Sequence, residues 1–114
     1  MPKPNLIRLH LRGDLSFGPG KAELMEKIRD LGSLQEAAAA MEMSYSKAWK
    51  LVKSLNEGFS DPIVILHRGG KHQGGAELTE EGAKLLALYQ KAVAAAEKAA
   101  QPSLEKMRAM LAGN

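Results

Sequence analysis

The sequence predicts a mainly α fold with a small β-hairpin, an α+β class, on three observations. Three stretches between residues 21 and 57 have apolar side chains at helical spacing, separated by capping signals. Two short apolar strands follow, joined by a glycine-rich basic segment. A long apolar helix begins after Thr79, which is a suitable N-cap. This order of elements is that of a winged helix-turn-helix.

The composition is that of an ordinary globular chain. The 114 residues are 45% hydrophobic and 25% charged, which suits one compact domain. No apolar run approaches the ~20 residues that cross a bilayer, and the polar start does not look like a signal peptide. We therefore expect no membrane partner and a cytoplasmic location. The absence of cysteine excludes disulfides, thiolate zinc sites, iron–sulfur clusters and cysteine nucleophiles.

The N-terminal segment predicts one strand and one helix. Over residues 6–12 apolar side chains alternate with basic ones, the period-two pattern of a half-buried strand. Leu15 and Phe17 are expected to anchor the connection that follows. The helix should start near Lys21 and end at Gly32, because glycine favours the left-handed cap.

Residues 33–57 have the pattern of a helix-turn-helix. Ser33 and Glu36 form a predicted capping box for a short alanine-rich helix, and Ser44 is a second N-cap. The small alanines allow the helix over residues 45–57 to approach closely. The apolar stripe of this second helix is expected to contain Tyr45, Ala48, Val52 and Leu55.

The C-terminal part predicts a hairpin and a long helix. Strands over residues 63–66 and 76–78 flank a flexible basic tip. In the helix that follows, Gly82 is expected to be a mild defect, and Pro102 is expected to interrupt the helix before a short last one.

The last helix is apolar around a wide arc. Leu85 and Leu88 belong to one apolar stripe, and Leu86, Tyr89 and Val93 to another. One layer of packing cannot cover both stripes. We therefore expect residues 1–90 to form the winged helix-turn-helix and residues 91–114 to be a helical extension that joins two subunits.

Basic residues are concentrated in one part of the chain. Residues 44–73 contain five lysines and arginines but only two acids, whereas the rest of the chain carries eleven charges of each sign. A local surplus of this kind indicates a surface that meets a polyanion. A lysine-bearing solvated helix is the alternative interpretation.

The helix that follows Ser44 is the candidate DNA-reading element. The major groove is about 12 Å wide and admits one α-helix. Ser46 and Lys47, near the helix start, are candidates for base contacts, and Lys50 and Lys53 for phosphate contacts. The predicted contact set of this helix is Ser44, Ser46, Lys47, Lys50 and Lys53.

The hairpin tip supplies a second group of candidates. Four glycines would make an unbound tip costly to order. Binding would then deliver Arg68, Lys71 and His72 to phosphates or to the minor groove. A hairpin loop without a binding role is the alternative interpretation.

No catalytic, cofactor or metal site is predicted. Two glycines precede Lys71, but His72 stands where a nucleotide phosphate loop needs Ser or Thr. His67 and His72 lack a third ligand nearby in the sequence. Tyr45 and Trp49 could stack on bases, although packing within the helix layer is favoured for the lone tryptophan.

At the second helix and the hairpin the motifs become specific. Gly32-Ser33-Leu34 with Ala37-Ala38, Ser44-Tyr45-x-x-Ala48-Trp49, Gly69-Gly70-Lys71-x-x-Gly74-Gly75 and Leu78-Thr79-x-x-Gly82 occur in this order. The chain thereby resembles, over residues 6–89, the DNA-binding domain of molybdate-dependent transcriptional regulators, the ModE family. The resemblance implies a homodimer, joined through the N-terminal strand and the terminal helices, on a palindromic operator. It implies DNA contacts by Ser44, Ser46, Lys47, Lys50 and Lys71, with Tyr45, Ala48 and Trp49 holding the helix in place.

The resemblance stops short of the family's ligand-sensing part. Members of that family carry C-terminal oxyanion-binding domains, and this sequence ends at Asn114. We therefore expect double-stranded DNA as the partner, with no cofactor in this chain. Either a separate protein senses molybdate, or regulation is by protein level, or the ligand differs. The predicted function is a homodimeric, sequence-specific transcription regulator rather than an enzyme. A winged-helix adaptor that binds an acidic protein is the alternative.

Overall fold

The computed structural model describes residues 7–67 and 75–113. In these two ranges, four helices surround one core, and two separate antiparallel hairpins flank them. Within the described residues, no helix combines the length and the apolar character needed to span a membrane. The elements are β1 (Leu9–Arg12), β2 (Leu15–Phe17), α1 (Pro19–Leu31), α2 (Leu34–Ala40), α3 (Tyr45–Gly58), β3 (Val64–Leu66), β4 (Ala76–Leu78) and α4 (Glu80–Ala109).

The helix ends follow the capping signals of the sequence. Gly32 adopts φ 73° and donates its N–H to the carbonyl of Ile28 at 2.9 Å, which ends α1. The hydroxyl of Ser33 accepts from the N–H of Glu36 at 3.2 Å and starts α2. The hydroxyl of Ser44 accepts from the N–H of Lys47 at 3.0 Å and starts α3.

The turn between α2 and α3 allows the two helices to pack closely. Ala37 and Ala38 of α2 and Ala48 of α3 are buried, so no large side chain separates the helices. Within the turn, Glu42 adopts φ 56°, a left-handed conformation that glycine favours. The helix-turn-helix is therefore built with one strained residue in its turn.

The N-terminal segment differs from the single strand that the sequence predicts. The connection containing Leu15 and Phe17 is itself a strand, β2, which pairs antiparallel with β1. An irregularity between His10 and Arg12 shifts the register, and Leu11 is 46% exposed instead of facing the core. The sequence pattern does not predict this pairing, because β2 is only three residues long and follows a turn of only two residues.

The last helix begins at a close contact with the wing, which we define as residues 63–78, from Ile63 before β3 to the end of β4. Thr79 caps α4 by accepting from the N–H of Gly82 at 2.9 Å. Gly82 is not a defect, as the sequence suggested, because a Cβ there would lie 2.3 Å from the carbonyl oxygen of Ile63. Glycine is therefore required where α4 crosses the wing.

The predicted interruption at Pro102 is also wrong. Helix α4 continues through Pro102 for 30 residues in all. A proline removes one helical N–H, but residues 98–103 are exposed, so water can bind the carbonyl left without a donor. The helix likewise runs unbroken across residue 90, and the domain boundary placed there stays a prediction.

The core joins the first half of α4 to the N-terminal hairpin. The rings of Phe17 and Tyr89 meet edge to face at 5.0 Å between centroids. The Tyr89 hydroxyl donates to the carbonyl of Ile7 at 2.6 Å, and burial raises the pKa of Tyr89. These two contacts fix the direction of α4 relative to the N-terminal hairpin.

Candidate nucleic-acid interface

The structure brings the predicted contact residues of α3 together on one exposed surface. Ala48, Val52 and Leu55 are buried and hold α3 against the core. The opposite side carries the outward face of α3, defined as five exposed residues of the helix and its N-cap. These are Ser44, Ser46, Lys47, Lys50 and Lys53.

The lysines of the outward face differ in their neighbours. Lys53 Nζ lies 3.9 Å from the Glu57 carboxylate and 5.4 Å from the centroid of the Trp49 ring. In the described parts of the chain, no ion pair involves Lys47 or Lys50. The positive charge near the start of α3 is therefore less compensated than the charge near its end.

Tyr45 does not occupy the position that the sequence suggested. It is 52% exposed, so it neither belongs to the apolar stripe of α3 nor holds the helix in place. The reason is its location in the first turn, where α3 extends beyond the core that covers Ala48. Trp49 is half-buried and packs at the edge of the core, in agreement with the packing interpretation.

The predicted tip residues Arg68, Lys71 and His72 lie outside the described residues. At the base of the tip, His67 Nε2 lies 2.7 Å from Glu77 Oε2, a carboxylate on the paired strand. Across residues 7–67 and 75–113, no group of three or more potential metal ligands occurs. His67 thus has a structural partner at the wing.

Asn56 is a structural residue that the sequence analysis missed. Its side chain, near the end of α3, bonds to the main chain of Ile63 and Val64 at the start of the wing. An Asn in the last turn of a helix, followed by Asp61-Pro62 and a strand, is the one signal that could have indicated it. The wing is therefore attached directly to α3.

A second basic cluster, Arg8 and Lys21, lies at the N-terminal hairpin. Lys21 donates from Nζ to the carbonyl of Ser16 at 2.7 Å. Burial lowers the pKa of Lys21, and the nearby positive charge of Arg8 lowers it further. Because Lys21 is bonded to the main chain, this cluster is explained by the packing of the hairpin.

Comparison with known proteins decides the family. Residues 21–83 match the model of the bacterial regulatory helix-turn-helix proteins of the lysR family. The chain belongs to this family. The match begins in α1 and ends in the first turn of α4, so it includes the helix-turn-helix and the wing.

Two relatives confirm the resemblance to the ModE DNA-binding domain. The chain is 32% identical over 84 residues to the transcriptional regulator ModE of Haemophilus influenzae, covering 74% of this chain and 33% of that protein. It is 31% identical over 86 residues to the molybdenum transport protein ModE of Azotobacter vinelandii, covering 74% and 32%. The chain thus spans about a third of the length of these relatives.

The fold also has a solved counterpart. The crystal structure of the CbnR DNA-binding domain with DNA superimposes with a TM-score of 0.61 at 15% identity, covering 77% of this chain and 95% of that one. This likeness confirms the predicted winged helix-turn-helix. The family and its relatives are regulators, in agreement with the prediction that the chain is not an enzyme.

Proposed function

We propose that the chain is a sequence-specific regulator of transcription that binds double-stranded DNA as a homodimer. The observation that carries the proposal is the outward face of α3 in a member of a regulatory helix-turn-helix family. That face combines hydroxyl donors with ammonium groups and is opposite to the buried side that fixes the helix. Such groups bind base edges and phosphates.

In this proposal α3 lies in the major groove of DNA. Ser46 and Lys47, in its first turn, contact base edges, and Ser44 contacts the backbone beside them. Lys50 and Lys53, further along the exposed side, contact phosphates. The uncompensated charge of Lys47 and Lys50 supports this assignment, since neither must leave an ion pair to bind.

The wing provides the second contact. The basic tip residues Arg68, Lys71 and His72 bind the sugar-phosphate backbone or the minor groove next to α3. Support comes from the base of the wing, which is bonded to α3 through Asn56. A wing attached to α3 at its base is available to the same duplex.

Dimerisation is assigned to α4 and the N-terminal hairpin. Helix α4 exposes apolar side chains along its length, including Leu88 at 60% and Met107 at 61%. A second copy of the chain would cover them. In this scheme residues 91–114 extend the DNA-binding unit of residues 1–90, and the chain acts in the cytoplasm.

A link to molybdate is the last part of the proposal. The two ModE relatives are named for transcription regulation and for molybdenum transport. Molybdate, or a separate molybdate-binding protein, is therefore proposed as the signal to which DNA binding responds. Selection of binding sites with and without molybdate tests this link, and identical selected sites and affinities would argue against it.

The salt dependence of DNA binding tests the main proposal. A homodimer that neutralises several phosphates should show log K falling with log salt at a slope of about −4 to −8. Lys47→Ala and Lys50→Ala should each weaken binding by about 1 kcal/mol or more without unfolding the chain. Lys27→Ala, which removes the same charge from α1, outside the proposed DNA and dimer contacts, is the matched control and should bind normally.

Two results would contradict the proposal. A slope near zero on duplex DNA would favour the adaptor function, in which the basic face binds an acidic protein. Equal affinities for the two α3 variants and the Lys27 control would remove α3 as the contact element.

A further inference from the structure

The wing is held by a side chain of α3 at the residue where its first strand begins. Asn56 Oδ1 accepts from the main-chain N–H of Ile63 at 2.8 Å and of Val64 at 3.0 Å. Asn56 Nδ2 donates to the carbonyl of Val64 at 3.0 Å. One amide side chain therefore makes three hydrogen bonds to two consecutive residues of the wing.

The other side of the same segment is held by α4. Thr79 Oγ1 donates to the carbonyl of Pro62 at 2.7 Å, and the Thr79 N–H donates to the carbonyl of Ile63 at 3.0 Å. Gly82 lets the helix pass close to that carbonyl. The start of the wing thus lies between α3 and α4 with main-chain hydrogen bonds on both sides.

We propose that Asn56 is a positioning residue for DNA binding. Its hydrogen bonds fix the start of the wing relative to α3, so that the outward face of α3 and the wing contact one duplex together. This inference rests on the proposed function. Asn56 itself does not touch DNA in this account; it acts through the wing.

The physical reason is the cost of ordering on binding. Only the residues 59–62 join the end of α3 to Ile63, and backbone bonds of that loop do not set the angle of the strand. Thr79 and the burial of Ile63 and Val64 hold the wing against α4 and the core, and the Asn56 bonds join it to α3. Without the Asn56 bonds the angle between the wing and α3 is less restricted, and DNA would have to select one angle. With Asn56 that choice is made during folding, before DNA is present.

The test compares salt slopes of the full chain and its Asn56 variants on one duplex. Asn56→Ala removes all three hydrogen bonds, and the slope should become shallower by about 1 to 2 units as wing phosphate contacts are lost. Asn56→Gln keeps the amide oxygen and the amide N–H groups on a side chain one methylene longer, so it should retain more of the parent slope than Asn56→Ala. Asn56→Ser, too short to reach the strand, is the milder variant if Asn56→Ala does not fold, and it should lose slope as well.

The slope separates positioning from simple stabilisation. A smaller folded fraction lowers log K by a similar amount at every salt concentration and leaves the slope unchanged. Ala22→Gly, in the buried side of α1 near its first turn, provides a loss of helix stability at the opposite end of α1 from Gly32, whose carbonyl accepts from the wing. It should reduce thermal stability while keeping the slope.

The outcomes distinguish a failure of this inference from a failure of the proposed DNA-binding function. A folded Asn56→Ala or Asn56→Ser chain with the parent slope would overturn the positioning role while leaving DNA binding intact. A parent chain with no salt-dependent binding would instead overturn the proposed function.

Discussion

The two faces of α3 differ in burial and in chemistry. One face carries Ala48, Val52 and Leu55, which are buried and fix the helix in the core. The outward face carries exposed serines and lysines, and within the described residues Lys47 and Lys50 take part in no ion pair. We therefore expect substitutions on the buried face to change stability and substitutions on the outward face to change the proposed DNA binding.

The largest expected effect is on the buried face. Leu55→Ala should lower the free energy of unfolding by about 3 kcal/mol, because it leaves a cavity at a fully buried side chain. Ser54→Ala, one residue earlier and exposed, is the control and should change stability by less than about 0.5 kcal/mol. Urea unfolding followed by circular dichroism measures both, and equal stabilities would show that the two faces do not differ.

A second substitution tests the contact between α4 and the wing. Gly82→Ala should destabilise the chain by about 2 kcal/mol, because the new methyl group would meet the carbonyl of Ile63. Gly20→Ala is the matched control in α1, where a Cβ has no neighbour within 4 Å. It should be neutral or stabilising by up to about 1 kcal/mol. Thermal unfolding measures the stabilities of the two variants relative to the parent chain. A stabilised Gly82→Ala chain would contradict the close contact.

A substitution at Tyr45 tests the outward side of α3. It is exposed beside Ser46, so Tyr45→Ala should weaken DNA binding by about 1 kcal/mol while changing stability little. Tyr45→Phe separates the role of the hydroxyl from that of the ring. Fluorescence anisotropy with a labelled duplex measures the affinities. A large loss of stability with unchanged affinity would return Tyr45 to the structural role first expected from the sequence.

The smallest expected effect concerns the turn before α3. Glu42→Gly should stabilise the chain by about 0.5 to 1 kcal/mol, because glycine adopts the positive φ at Glu42 without strain. Glu42→Ala removes the same charge but keeps a Cβ, so it should bring no such gain. If both variants are equally stabilised, the effect comes from charge and not from the backbone.

Local signals of the sequence predicted much of the fold. Ser33, Ser44 and Thr79 cap the helices that follow them, because a cap involves residues only three apart. The core stripe of α3 and the order of elements follow from periodicity in the same way. These features need no knowledge of distant contacts.

The misjudged residues depend on contacts between distant parts of the chain. Gly82 is required by the carbonyl of Ile63, and Asn56 bonds to a strand that begins after a loop. Tyr45 fits the apolar stripe by spacing, but the core ends before it reaches the first turn. The candidate DNA contacts on α3 were found from charge and spacing, and their roles toward individual bases stay predictions.

Methylation interference on a selected duplex tests the central claim most directly. Methyl groups on guanine N7 project into the major groove, where the outward face of α3 is proposed to lie. The account predicts that methylation at particular guanines blocks binding, and that at least one of these positions no longer matters in the Lys47→Ala chain. Binding that tolerates N7 methylation at every guanine of the site would contradict the claim that α3 reads the major groove.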